Sequence, residues 1–393
     1  MLKKAIKLFF LLYVVSLFTI AEHEIYYVFS NILFVFFAGF SMIYILNRGQ
    51  VLANGVLLCF AMFEIYITCS MTWTVDVSNS IIRISTVFQL LVLLLLIYNV
   101  FAENNCKEYL YNCLWIAGGC LCVYFLTQYS VAEILESYNM RCRLGERIAP
   151  LNAISRNLAI FIVINVYKIL IEKKKKFILP CMIGVILLST TQSRTGIILC
   201  ATGVVIIVLK MVKDKKKLLI LFLGISILGM AALLKSNLVQ EIFWRVGKLF
   251  KFLADTSNSE IDYSAYVRLG LIKTGINLFM DKPFMGWGIA SGYTLLGGGY
   301  GMYFHNNYVQ LLVEVGIIGL TLYYIPIIYV IYKIFKSPCG DYNILAGALL
   351  MMIMIGDFMN STYYHKITYV LIGVALCTYK EIKLQRSKSN ENW

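Results

Sequence analysis

The stretch IIRISTVFQLLVLLLLIYNVF, residues 81–101, decides what kind of protein this is. It stays apolar for longer than the ~18 residues a helix needs to cross the hydrocarbon core of a bilayer, and it lacks the polar–apolar alternation of a barrel strand. Runs of the same kind recur on both sides, at roughly 5–21, 25–46, 51–70, 109–127, 151–171, 177–192, 195–212, 218–234, 307–332, 342–360 and 366–380. The expected fold is therefore an all-α polytopic membrane protein of about twelve spans, with 1–393 forming a single transmembrane domain. Composition agrees: 60% of residues are hydrophobic and 14% charged, where a soluble domain is about half apolar and a quarter charged. Mean hydropathy is +0.76. Residues 1–21 have a basic start and an apolar run, as a signal peptide does, but no small-residue cleavage site. More spans follow, so this run reads as the first membrane helix.

The net charge of +14 has a topological reading that needs no nucleic acid. Most lysines sit in short loops between spans, where they hold those loops in the cytoplasm. With the N-terminus inside and the spans alternating, Lys3, Lys4, Lys7, Arg48, Lys107, Lys173–Lys176, Lys213–Lys217, Lys333 and the tail from Lys380 to Lys388 all fall inside. The expected location is a membrane crossed many times, with both termini cytoplasmic. Two larger segments are then extracytoplasmic, 128–150 and 235–306. The second is too long for a simple turn. It holds an amphipathic run with Val239, Ile242, Phe243, Val246, Phe250 and Leu253 on one face, suited to the membrane–water interface. A second helical segment runs from about Ser264 to Met280 and stops before Pro283. The glycine-rich stretch GWGIASGYTLLGGGYG then leads to His305.

The eleven cysteines form no CxxC pair and lie mostly within apolar runs, which argues against a disulfide framework or a thiolate metal site. His23, His305 and His365 have no HxH or HxxxH spacing, so no metal is expected. No cofactor is expected either.

Arginine departs from the lysine pattern. Of ten arginines only Arg48 and Arg386 fall clearly inside; Arg83, Arg141, Arg143, Arg147, Arg156, Arg194, Arg245 and Arg268 face outward. The guanidinium fork suits bidentate binding of phosphate or carboxylate, so an arginine-rich outer face points to an anionic ligand there. Contact with lipid headgroups is the plainer alternative. Arg194 stands out, because it closes the polar run STTQSRTG between two apolar spans. Such a run is costly in lipid unless it faces a cavity or the surface, or forms a short turn. Three acids, Glu64, Glu314 and Asp357, lie within spans, where acids are usually paired or functional. Glu314 follows His305 by nine residues, about 13 Å along a helix, so it pairs with a buried base or orients the site rather than touching reacting atoms. His305 stands at the outer start of a span. It suits a general base acting on a hydroxyl, or simply a helix cap.

Several separated motifs resemble one family, the bacterial O-antigen ligase and polymerase superfamily. HNNYVQLLVEVGIIGL resembles its histidine–asparagine motif, with nine residues between Asn306 and Gly316 and then Gly319. QSRTG resembles its serine–arginine motif at the start of a span. YVRLGLIKTGINLFMDKPFMGWG resembles the segment in which an arginine precedes a helix, a proline and a GxG turn. The resemblance is strong over about 190–320 and architectural elsewhere. One departure is clear: the arginine, ten residues, glycine pattern of some polymerases is absent after Arg141, Arg143, Arg147, Arg245 and Arg268.

The resemblance implies a GT-C-like, metal-independent, inverting glycosyltransferase on the outer face of the membrane. Its donor would be a glycan on undecaprenyl pyrophosphate and its acceptor another glycan. Membrane lipids would surround it, and flippase and chain-length regulator proteins would be partners. By motif position Arg194 and Arg268 would hold the pyrophosphate and His305 would activate the acceptor hydroxyl, with Arg156, Arg141, Arg143, Asn306 and Glu314 in support. Joining of repeat units by a polymerase is the preferred reading, transfer of a finished glycan by a ligase the second, and a lipid-linked oligosaccharide flippase the third.

Overall fold

The computed structural model describes residues 1–21, 26–102, 106–140, 142–211, 263–298, 303–337 and 342–390. Among these residues the chain forms helices and no strands. In chain order they are α1 (Leu2–Thr19), α2 (Tyr27–Arg48), α3 (Gly55–Cys69), α4 (Val77–Phe101), α5 (Lys107–Gln128), α6 (Val131–Met140) and α7 (Leu151–Leu170). Then follow α8 (Ile178–Thr190), α9 (Arg194–Met211), α10 (Tyr263–Asp281), α11 (Ser291–Leu295), α12 (Asn307–Lys336), α13 (Asn343–Gly356) and α14 (Lys366–Asn390).

The protein is an all-α polytopic membrane protein. Seven of the described helices are long and apolar enough to cross a bilayer: α2, α3 with its short 3-10 extension, α4, α5, α7, α9 and α12. Eleven of the twelve expected spans coincide with helices, and the one at 218–234 lies outside the described residues. At 13 and 14 residues, α8 and α13 are shorter than the ~20 needed to cross alone. The helix expected at Ser264–Met280 is α10, which ends just before Pro283. The amphipathic run 239–253 and Arg141 also lie outside the described residues. The segment 128–150 is more than a loop, since it contains α6.

Residues 1–17, 28–114 and 270–393 form one compact unit, and residues 18–27 and 115–269 another. In the first unit α4 packs on α14, α3 on α12, and α13 on both α12 and α14. Its core includes the ring cluster Phe10, Phe37 and Phe101, with Phe10 centroids 5.3 and 5.0 Å from the other two. In the second unit α7 packs against α8 and α9 and is buried over most of its length. Large apolar side chains elsewhere are exposed, with Leu46 at 75%, Val35 at 65% and Leu58 at 62%. On a water-facing surface that would be an aggregation hazard; on a membrane helix it is the face turned to lipid.

Several polar groups inside the helices are satisfied by nearby backbone, as a medium without water favours. The Asn99 side chain accepts from the Leu52 amide at 2.6 Å and donates to the Leu52 carbonyl at 3.1 Å. Ser85, Thr86 and Thr202 each donate their hydroxyl to the carbonyl four residues earlier.

Candidate functional site

The first unit holds a polar centre built around a break in α12. The helix is continuous except at Gly316, where φ is 64° and ψ is −167°. A break at membrane depth strands amides and carbonyls, each costing several kcal/mol in lipid unless paired. The segment 283–287 pairs them. The Ile317 amide donates to the Pro283 carbonyl at 2.9 Å, and Ile318 reaches Phe284 at 3.4 Å. The Trp287 amide donates to the Val313 carbonyl at 2.8 Å, and the Tyr66 hydroxyl donates to that of Val315 at 3.2 Å. Backbone meets backbone here: a Cβ on Gly316 would lie 2.2 Å from the Phe284 oxygen, and one on Gly286 would lie 2.6 Å from the Glu314 oxygen. Gly286 of the GWG turn and Gly316 of the span at 307–332 are thus two halves of one contact.

His305 sits at the head of α12, held from both sides. The Phe304 amide donates to Gln310 Oε1 at 3.1 Å. Asn306 caps the helix, its Oδ1 accepting from the Val309 amide at 3.1 Å. Between them His305 adopts a left-handed backbone with φ 51°, uncommon for a residue with a side chain. Its ring lies on that of Tyr303, with centroids 3.8 Å apart. The helix-cap explanation for His305 therefore falls, because Asn306 performs that role.

Below the cap, three elements share a buried network. Glu314 accepts from Gln310 Nε2 at 2.5 Å and from the Tyr363 hydroxyl at 2.6 Å. Asp357 accepts from the Tyr324 hydroxyl at 2.6 Å, from Asn307 Nδ2 at 3.3 Å and from the Thr362 hydroxyl. Asn307 Oδ1 accepts from the Thr362 and Tyr363 amides at 2.9 and 3.1 Å, which pins the loop after α13 to the start of α12. Glu314 and Asp357 thus take their hydrogen bonds from neutral donors, and Glu314 also interacts electrostatically with the buried base Arg83, as expected of an acid within a span. Glu64 differs: its Oε2 is buried and has no hydrogen-bond partner.

The rim of this centre is tied down by Asp76, the N-cap of α4. Its carboxylate accepts from the Asn79 amide at 3.0 Å, from Asn79 Nδ2 at 2.8 Å and from the Thr294 hydroxyl at 2.6 Å. Burial pushes the Asp76 carboxyl up, but these hydrogen bonds outweigh it and leave the group below its ordinary value.

The second unit holds the other predicted residues. Arg194 is the first residue of α9 and is half-buried. Ahead of it Ser189 and Thr190 end α8, and Thr191–Ser193 form a tight turn with Gln192 at φ 47°. Ser155 of α7 donates to Ser193 Oγ at 2.9 Å. Arg156 and Arg194 each follow one member of that serine pair, so two of the expected arginines issue from one helix crossing. The segment after α6 covers the same turn, as the Leu144 amide donates to the Thr190 carbonyl at 3.1 Å. That brings the exposed Arg143 to the same turn. Arg147 is instead engaged with Glu133 at 2.8 Å. Arg268 is half-buried on α10.

Sequence reasoning missed Gln310, Asn307 and Tyr363. The available signal was the run STYYH at 361–365, a dense polar and aromatic turn between two apolar spans. Residues 179–324 match the family model described as O-antigen ligase. The match runs from α8 into α12 and includes Arg194, Arg268, His305, Asn306, Glu314, Gly316 and Gly319; Arg141, Arg143 and Arg156 precede it. No curated protein matches the chain.

Proposed function

We infer that the chain is a member of the O-antigen ligase and polymerase superfamily, whose family model its segment 179–324 matches, and we propose that it transfers a glycan from a lipid-pyrophosphate carrier to an acceptor hydroxyl. The observation that carries the proposal is His305: an imidazole in a strained backbone conformation, held between two pinned neighbours, at the mouth of a buried polar network. Strain of this kind persists where the surroundings over-determine it, and it concentrates at functional sites.

In this reading His305 removes the proton of the acceptor hydroxyl as that oxygen attacks the anomeric carbon. The C–O bond to the carrier breaks with inversion, and the carrier pyrophosphate leaves with the electron pair. Charge builds on that leaving group, and the guanidinium groups of Arg194 and Arg268 stabilise it, with Arg156 and Arg143 beside Arg194 in support. Glu314 and Asn306 orient the head of α12 and do not touch reacting atoms. The expected setting is the outer face of a bacterial cytoplasmic membrane, the expected carrier undecaprenol, and the expected process assembly of a surface polysaccharide.

Joining of repeat units into a chain is the preferred form of the reaction. Transfer of a finished glycan to a foreign acceptor is the second, favoured by the description of the matching family. Reconstitution with a lipid-pyrophosphate oligosaccharide and sizing of the products separates them: a ladder marks a polymerase, a single transfer a ligase. Arg194→Ala, Arg268→Ala and His305→Ala should each reach the membrane and make no product. Product at the wild-type level in all three would sink the proposal.

A further inference from the structure

Arg83 lies outside every motif named above, on the seventh residue of α4, within the first unit. Its guanidinium lies over one aromatic ring and close to a second: Cζ is 3.5 Å from the centroid of Tyr364 and 5.4 Å from that of Tyr363. Tyr363 in turn donates to Glu314. The guanidinium also makes a side-chain hydrogen bond to Tyr364. Nη1 is buried and has no hydrogen-bond acceptor. A second orphan belongs to the same neighbourhood. The Ser291 hydroxyl is fully buried without a partner. The next residue, Gly292, lies so close to the network that a Cβ there would stand 2.7 Å from Gln310 Nε2 and 3.2 Å from Glu314 Oε1. Three residues before Arg83, Ser80 donates to the Ile289 carbonyl at 2.6 Å, which joins α4 to the strand of chain carrying Ser291.

A buried cation edge with no acceptor is expensive, and within a span it marks a site that something else completes. Glu314 attracts the guanidinium electrostatically but gives Nη1 no hydrogen bond, its carboxylate being taken up by Gln310 and Tyr363. The missing partner is a hydrogen-bond acceptor for Nη1. A phosphate oxygen meets that need, since it accepts both from the guanidinium edge and from a serine hydroxyl.

We propose that Arg83, with Ser291 beside it, is a phosphate-binding residue of the lipid-linked donor's site, additional to the arginines of the family-like motifs. The inference rests on the donor reading above. The same phosphate chemistry is offered by an anionic phospholipid headgroup, and the test separates the two sources.

The full chain, purified into nanodiscs of phosphatidylcholine, is titrated with farnesyl pyrophosphate and separately with phosphatidylglycerol. Arg83→Gln and Arg83→Lys are run beside the wild type, with melting curves to show that each is folded. Loss of one charge-assisted contact should weaken pyrophosphate binding roughly ten- to a hundredfold in Arg83→Gln. Arg83→Lys, which keeps the charge but loses the fork, should fall between. Equal binding of pyrophosphate by wild type and a folded Arg83→Gln overturns the role of Arg83 and leaves the donor reading standing. If wild type binds no pyrophosphate but binds phosphatidylglycerol in an Arg83-dependent way, the phosphate site stands and the donor reading fails. If Arg83 affects neither ligand, the inference is wrong.

Discussion

Replacing Gly316 by alanine tests the arrangement that positions His305 and Glu314. Gly316 stands in a region of backbone space that only glycine occupies readily, and forcing a side chain there costs ~1–3 kcal/mol. The added Cβ would also lie 2.2 Å from the Phe284 oxygen and 2.7 Å from the Met285 nitrogen, both backbone atoms that cannot swing away. The segment 283–287 must therefore retreat, and the hydrogen bonds through Ile317, Ile318, Trp287 and Tyr66 are lost or stretched. At ~1 kcal/mol net for each, the whole perturbation is on the order of 4–8 kcal/mol, a large part of a typical total stability of about 5–15 kcal/mol. The assay is the fraction of detergent-purified protein that stays monodisperse after heating, read beside glycan transfer. Gly316→Ala should lower the midpoint by more than about 5 °C and abolish transfer. Gly39→Ala is the control: it lies on α2 with nothing within 4 Å of an added Cβ, so it should be neutral or slightly stabilising. A Gly316→Ala protein that melts within about 2 °C of wild type and still transfers glycan would refute the account of the break.

Other outcomes follow from the same geometry. His305→Asn should keep the wild-type melting midpoint, since asparagine tolerates a left-handed backbone, while losing transfer; transfer at the wild-type rate would remove His305 as the base. Asn306→Ala removes the cap of α12 and should cost about 1 kcal/mol, seen as a lower midpoint in the same heating assay. Tyr363→Phe takes a donor from buried Glu314 and should cost ~1–3 kcal/mol, with an unchanged midpoint counting against the network. Asp76 titrates below its ordinary value in the folded protein, so the folded state binds fewer protons there than the unfolded chain. Its stabilisation is present above the usual carboxylate range near ~4 and is lost as pH falls through the folded value. Asp76→Asn should accordingly flatten the acid side of a plot of melting midpoint against pH; an unchanged acid limb would show that other groups set it.

The sequence by itself determined the membrane class, the places of eleven helices and the residues that carry the family motifs. It could do so because bilayer thickness imposes a length on apolar runs, and motif residues are read by position. It also singled out His305 and the acids Glu314 and Asp357 as unusual at their depth. It left His305 with two roles, base or cap, because a cap is defined by which side chain reaches which amide, and His305 and Asn306 are neighbours in the chain. The tertiary structure removed the cap by giving the Val309 amide to Asn306, and the base role rests on the proposal above. It likewise decided that α12 is broken at Gly316, since an apolar run reads the same whether or not another segment's backbone enters it. Arg83 was legible only as one outward arginine among eight. What distinguishes it is the orphaned edge of its guanidinium over Tyr364, a contact between residues 281 positions apart that no local pattern records.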